Sequence, residues 1–212
     1  YSYMSLVPLI QPPVIKALTT KKERRIHMVY HESNAPKWLK VLFPIIVTMI
    51  AGFVAPISVP LIGSLMFGNL IREAGCLERL SQAAQNELAN IVTLLLGITI
   101  GASMVASNFL TWKTLMIMGM GLVAFVFDTA GGVLFAKLVN LFLPRDKKIN
   151  PMIGACGISA FPMSGRIVQK MANDEEKGNI ILMHAIGSNV SGQLGSVIAG
   201  GMVLALVPLL VK

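Results

Sequence analysis

Three long stretches of the chain lack any Asp, Glu, Lys or Arg: residues 41–71, 88–112 and 178–211. A fourth, 114–136, holds a single charge, Asp128. A helix crosses the hydrocarbon core of a bilayer in roughly 20 residues, and each of these runs is longer than that. Continuous apolar runs of this length fit helices, which satisfy their own backbone polar groups inside lipid. The expected fold class is therefore an all-α integral membrane protein, a polytopic helical bundle.

Composition agrees. Of 212 residues, 54% are apolar and 13% charged, against about 25% charged in an ordinary soluble domain. The formal net charge of +8 would bring nucleic acid to mind in a soluble chain. Here Lys21, Lys22, Arg24, Arg25, Lys37 and Lys40 lie in one polar stretch, 20–40, and Lys137, Arg145, Lys147 and Lys148 in another. Basic residues between apolar spans act as topology determinants and headgroup contacts. No aromatic interleaving offers bases a stacking surface, so no nucleic-acid partner is expected. Cys76 and Cys156 lack metal-ligand spacing, and Cys156 reads as a buried free thiol. Walker A, GxGxxG, HExxH and GxSxG are all missing, which removes nucleotide hydrolysis, dinucleotide binding, zinc proteolysis and serine hydrolysis.

Along the chain, 1–19 is apolar but carries Pro8, Pro12 and Pro13, and is expected to be a broken segment. Its first residues read as the interior of a membrane segment, so further sequence upstream is expected. A basic loop follows over 20–40. Run 41–71 holds Pro44, Pro56 and Pro60 and exceeds one crossing, which fits a kinked span followed by a second short helix. Residues 72–90 mix charges with Leu77, Leu80 and Leu88 in the manner of an interfacial helix. Spans are expected at 91–110 and 114–139, joined by a turn near Asn108 and Thr111. Residues 149–166, INPMIGACGISAFPMSGR, form a second broken segment, 167–178 a solvated helix or turn, and 179–211 a span too long for one straight helix.

Asp128 is an acid inside a span, where an unpaired carboxylate is costly. It is either an ion or proton site beside Thr129, Gly131 and Gly132, or a structural carboxyl bonded to backbone amides or to Lys137. Asn150, Ser159 and Arg166 fall in the second broken segment, and Ser188, Asn189 and Ser191 in the last span. Oxygen donors at helix interruptions suit a hard cation such as Na⁺. Ser188, Gly192, Ser196 and Gly200 recur every four residues, the small-residue pattern of close helix packing; Asn189 lies on another face and is the better candidate ligand. Gly97 and Gly101 are a further packing match. His184 reads as a hydrogen-bonded interior residue, and the thirteen Met residues as packing filler.

The stretches YSYMSLVPLIQPP, GNLIREAGCLERLSQAAQNELANIVTLLLGITIGASM, DTAGGVLFAKLVNLF, KINPMIGACGISAFPMSGRIVQK and HAIGSNVSGQLGSVIAGG closely resemble the β subunit of the biotin-dependent, sodium-pumping decarboxylases. That family includes the oxaloacetate, glutaconyl-CoA and methylmalonyl-CoA enzymes. The resemblance covers the C-terminal half of the family; the family's essential intramembrane aspartate belongs to the other half. It implies one half of an inverted-repeat, elevator-like fold with interrupted helices. It also implies decarboxylation of carboxybiotin coupled to outward Na⁺ movement, with Na⁺ and biotin as cofactors.

The implied partners are a carboxyltransferase α subunit, a biotin carrier protein, a small membrane γ/δ subunit and further β subunits in an oligomer. The implied location is the bacterial cytoplasmic membrane. By position, the resemblance carries sodium-site and carboxybiotin-linked roles to Asn150, Gly154, Ser159 and Arg166. It carries sodium and proton handling to Tyr3, with Tyr1 its near neighbour, and makes Asn189 a second interrupted-helix amide. Asn150, Ser159 and Asn189 are then expected to supply neutral oxygens, and Arg166 to attract the carboxylate of carboxybiotin. The competing reading is a Na⁺-coupled secondary transporter of a carboxylate without covalent chemistry; a third makes the chain a membrane anchor for soluble subunits.

Overall fold

A computed structural model describes residues 2–30, 35–105, 110–144 and 147–210. Its regular structure is helical, with no strand among the described residues. Four helices are long and apolar enough to cross a membrane: Lys37–Val54, Glu78–Ser103, Trp112–Phe142 and Leu182–Pro208. No more than 17% of the most apolar part of any of them is buried within the chain. Their apolar side chains therefore face outward, as a surface that meets lipid or other protein must.

The chain divides into two compact units. In the first, helix α1 (Ser2–Leu18) leads into the short α2 (Lys21–Arg24). The expected break over 1–19 does not occur, because α1 runs straight through Pro8, Pro12 and Pro13. Each proline removes one helical hydrogen bond, but Val7, Gln11 and Ile15, spaced four apart, are completely buried on one stripe. Packing of that stripe outweighs the lost bonds. Thr20 then caps α2 with a reciprocal Glu23 contact. Burial opposes ionisation of Glu23, yet the Thr20 backbone N–H at 2.7 Å, the Thr20 hydroxyl at 2.9 Å and Lys137 at 3.1 Å hold its carboxyl below the ordinary value.

The same unit takes in the 117–142 part of the long helix that begins at Trp112, an irregular segment after it, and two further helices. The irregular segment contains the short 3-10 turn Pro151–Cys156 and ends at a cis Phe161–Pro162 bond; of the broken segment expected over 149–166, the part from Met163 on is helical. Its core joins Ile15, Val133, Met152, Ala155, Cys156, Val168 and Ile181.

In the second unit, α3 (Lys37–Val54) and α4 (Val59–Ala74) form an antiparallel hairpin. The turn falls at Ala55–Ser58, where Pro56 interrupts the run and the Ser58 hydroxyl donates to the Ala55 carbonyl at 2.6 Å. The run 41–71, expected to be a kinked span and a second short helix, thus holds two helices parted at Pro56. Gly75 closes α4 with φ 71°, a left-handed cap that glycine adopts without strain.

Residues 72–90 are not a separate interfacial helix. From Glu78 the chain is helical to Ser103 (α5), with a π-type turn at Ala84–Leu88. The charges Glu78, Arg79 and Glu87 occupy its beginning, and the apolar run follows without interruption. Next comes α6 (Trp112–Phe142), begun by Thr111, whose hydroxyl accepts from the Thr114 N–H at 3.3 Å. Asn108, the other residue of the expected turn, lies outside the described residues.

α7 (Met163–Glu175) and α8 (Leu182–Leu210) complete the chain. α8 is one continuous helix, so the interruption expected around Asn189 is absent. Of its small-residue row, Gly192 lies against the Gly157 backbone, too close for any side chain, whereas a side chain at Gly200 would meet open space among the described residues. Gly201 instead meets Ala55 and Ile57 of the hairpin turn. Gly97 and Gly101 also face open space and make no packing contact among the described residues.

Candidate functional site

The irregular segment 149–162 exposes backbone carbonyls that no helix satisfies. Within an apolar protein each needs a donor. Carboxamide side chains provide them. Asn140 donates to the Ile149 carbonyl at 2.7 Å and accepts from the Ile149 N–H at 2.8 Å. Gln11, from α1, donates to the Ala155 carbonyl at 2.8 Å and exchanges hydrogen bonds with the Ser164 hydroxyl at 2.8 and 3.0 Å. Asn189, from α8, donates to the Cys156 carbonyl at 2.9 Å and the Ile158 carbonyl at 2.6 Å.

Asn150 holds the segment's other end. Its Nδ2 donates to the carbonyls of Arg24 and Ile26 at 2.9 and 3.1 Å, and its Oδ1 accepts from the Met152 N–H at 3.1 Å. Its own N–H rests on the Met28 sulfur at 3.3 Å. Asn150 is thus a buried structural clamp with every polar group of its side chain occupied.

Asn189 differs. It is fully buried, both amide hydrogens are taken by carbonyls, and its Oδ1 has no partner among the described residues. One turn further along the same face, the buried Oε1 of Gln193 also lacks a partner there. Residues four apart on a helix are neighbours, so α8 presents two neutral, unsatisfied oxygens. Each such group costs about 1–3 kcal/mol if left dry. A hard cation accepts oxygens of this kind without competing for hydrogen atoms. No cluster of three His, Cys, Asp or Glu residues suited to a metal occurs among the described residues, so the donors at this point are uncharged.

The other expected site residues fall as follows. Gly154 presses against the Gly132 backbone, where neither can carry a side chain. Ser159 is exposed just beyond Ile158, whose carbonyl Asn189 holds. Arg166 is exposed on the first turn of α7 and belongs to no ion pair among the described residues. Asp128 is exposed on α6 and does not join the buried carboxamides. Lys137, its possible partner, pairs with Glu23 instead, and Thr129 donates back to the Phe125 carbonyl at 2.9 Å. The side chain of Tyr3 and all of Tyr1 lie outside the described residues. His184 stands edge-on to Tyr30 at 5.7 Å, but its buried Nε2 has no hydrogen-bond partner among the described residues, contrary to expectation. Cys156 is a buried free thiol, as expected.

Gln11, Asn140, Ser164 and Gln193 were not among the expected site residues. Gln11 carried a signal, a carboxamide among apolar residues and prolines; Gln193 carried another, the four-residue spacing from Asn189.

The family profile described as "Na+-transporting oxaloacetate decarboxylase beta subunit" matches residues 1–207. The chain belongs to this family. Among its relatives is the oxaloacetate decarboxylase beta chain of Klebsiella pneumoniae, 50% identical over 204 residues, which are 96% of this chain and 46% of that one. The glutaconyl-CoA decarboxylase subunit beta of Acidaminococcus fermentans is 48% identical over 207 residues, 98% of this chain and 54% of the relative. The methylmalonyl-CoA decarboxylase subunit beta of Propionigenium modestum is 45% identical over 206 residues, 97% and 51% respectively. The chain therefore spans about half the length of these decarboxylase relatives.

Proposed function

We propose that the chain forms the ion-handling part of a membrane subunit that decarboxylates carboxybiotin and couples the reaction to Na⁺ export. The observation that carries this reading is the pair of orphaned oxygens, Asn189 Oδ1 and Gln193 Oε1, beside a carbonyl-rich break. Family membership supports the sodium chemistry. Carboxybiotin, carried on a partner, supplies an N–C bond whose cleavage releases carbon dioxide and leaves the ureido nitrogen to take up a proton.

In this reading Asn189 and Gln193 hold the dehydrated ion, with Ser159 adding an oxygen at the accessible end. Asn150 and Gly154 keep the irregular backbone in place. Arg166, free of a carboxylate partner among the described residues, holds the carboxylate of the arriving carboxybiotin by charge-assisted hydrogen bonds. Tyr3 is assigned to proton handling, and Asp128 to a second ion or proton station that needs a counterpart beyond the described residues. The proposed setting is one half of an inverted-repeat, elevator-like subunit in a bacterial cytoplasmic membrane. Its proposed partners are a carboxyltransferase, a biotin carrier, a small γ/δ subunit and further β subunits.

Relatives named for three different acyl substrates resemble this chain at 45–50% identity. The acyl group is then selected elsewhere in the complex, and Asn189, Gln193 and Arg166 serve the step common to all three. The test is Na⁺-dependent, avidin-sensitive decarboxylation by the reconstituted complex. Arg166→Ala is expected to abolish it, and Gln193→Ala to raise the Na⁺ concentration for half-maximal rate. Na⁺-coupled uptake of a carboxylate without biotin would replace this reading with that of a secondary transporter.

A further inference from the structure

α1 and α7 run side by side in the same direction: Gln11 meets Ser164 near one end, and Arg24, just past α1, meets Glu175 at the other. Between them lies a cavity of about 440 Å³. Its composition changes along its length. Pro8, Pro12 and Lys16 form one strip of α1 at intervals of four residues, so the wall passes from apolar to cationic over about 12 Å. On α7 the facing strip follows the same order, Ile167, then Lys170 and Met171, then Asp174. Lys21 adds a further ammonium at the charged end.

The charges there do not cancel. Glu175 is committed to Arg24 at 2.7 Å, and none of Lys16, Lys21 and Lys170 belongs to an ion pair among the described residues. Three ammonium groups thus face the single uncommitted carboxylate of Asp174. A lysine near a helix C-terminus complements the helix dipole, which accounts for Lys16 alone. Lys170 lies mid-helix and Lys21 opens α2.

We propose that this cavity binds an acidic phospholipid, its phosphate among Lys16, Lys21 and Lys170 and the start of its acyl chains against Pro8, Pro12 and Ile167. Charge complementarity selects the anion, and the apolar strip leading away from it selects a lipid over a free ion. Basic pockets between membrane helices recognise lipid headgroups in this way. The site is separate from the Asn189–Gln193 oxygens, and the ion-handling reading can fail without affecting it.

The test is a native mass-spectrometry titration of the delipidated full-length protein with dioleoylphosphatidylglycerol and dioleoylphosphatidylcholine. The acidic lipid is expected to bind at least about tenfold more tightly. In the triple variant Lys16→Gln, Lys21→Gln, Lys170→Gln that preference should fall by roughly 10- to 100-fold. The three Lys→Arg replacements should retain it, as should Lys147→Gln, which lies outside the cavity. If the triple variant does not fold, each single Lys→Gln variant should lose several-fold in preference. Equal affinity for the two lipids, a preference that survives the triple substitution, or displacement of the lipid by inorganic phosphate alone would overturn the proposal.

Discussion

At the scale of single residues, Asn189 and Gln193 separate a structural duty from the ion-binding one proposed for them. Asn189 donates to two buried carbonyls, so Asn189→Leu should cost about 2–4 kcal/mol and also weaken the response to Na⁺. Gln193 holds an orphaned oxygen, and Gln193→Leu removes a dry polar group. Its stability should be unchanged or raised, while half-saturation by Na⁺ moves up by about tenfold. Denaturant unfolding in detergent, paired with a Na⁺ titration of decarboxylation, checks both variants. Equal loss of stability in the two would remove the distinction. Asn150 belongs with the clamps, since its amide is fully engaged, and Asn150→Leu should destabilise the protein whether or not Na⁺ is present.

At the scale of elements, close approach decides what α8 tolerates. Gly192 touches the Gly157 backbone, and a side chain at Gly200 would meet none of the described residues outside its own helix. Gly192→Ala is expected to destabilise by about 1–3 kcal/mol and Gly200→Ala by almost nothing, as read from thermal unfolding. The junction of α1 and α2 makes a separate prediction. Glu23 has a lowered pKa in the folded protein, so its contribution is present above its unfolded value near 4.5 and lost as pH falls through the folded one. Acid titration of stability should flatten in that window in Glu23→Gln. An unchanged slope would mean that the Thr20 and Lys137 contacts contribute nothing measurable.

At the scale of the whole molecule, much was legible because lipid imposes a one-dimensional rule of length and missing charge. The runs 41–71, 91–110, 114–139 and 179–211 were read from it, and each overlaps one of the four helices long and apolar enough to cross a membrane. α1 was not legible: three prolines argued for a break, while the stripe Val7, Gln11 and Ile15 that holds the helix together acquires meaning only from the segment it packs on. Nor was the role of Asn189, whose partners lie 33 and 31 positions earlier in the chain. The surroundings of Asp128 were not legible either, because a lone acid in an apolar run looks the same whether it faces inward or outward; in the folded chain it is exposed.

A cation held only by the folded state should raise the midpoint of thermal unfolding of the purified protein. Na⁺ at one hundred times its dissociation constant corresponds to about 2.7 kcal/mol, a shift of several degrees, and K⁺ or choline should give far less. Identical curves in all three salts would contradict a specific alkali-ion site.

The grip of Asn189 on two main-chain carbonyls has a bearing on discrimination between ions of opposite sign. A flipped carboxamide would set its oxygen against those two carbonyl oxygens, so the NH₂ end stays turned to them and is not offered to chloride. In the proposed ion site, rejection of anions then rests on the polypeptide backbone instead of on an ionisable group, and it should persist under acidic conditions that would neutralise a carboxylate-lined pore.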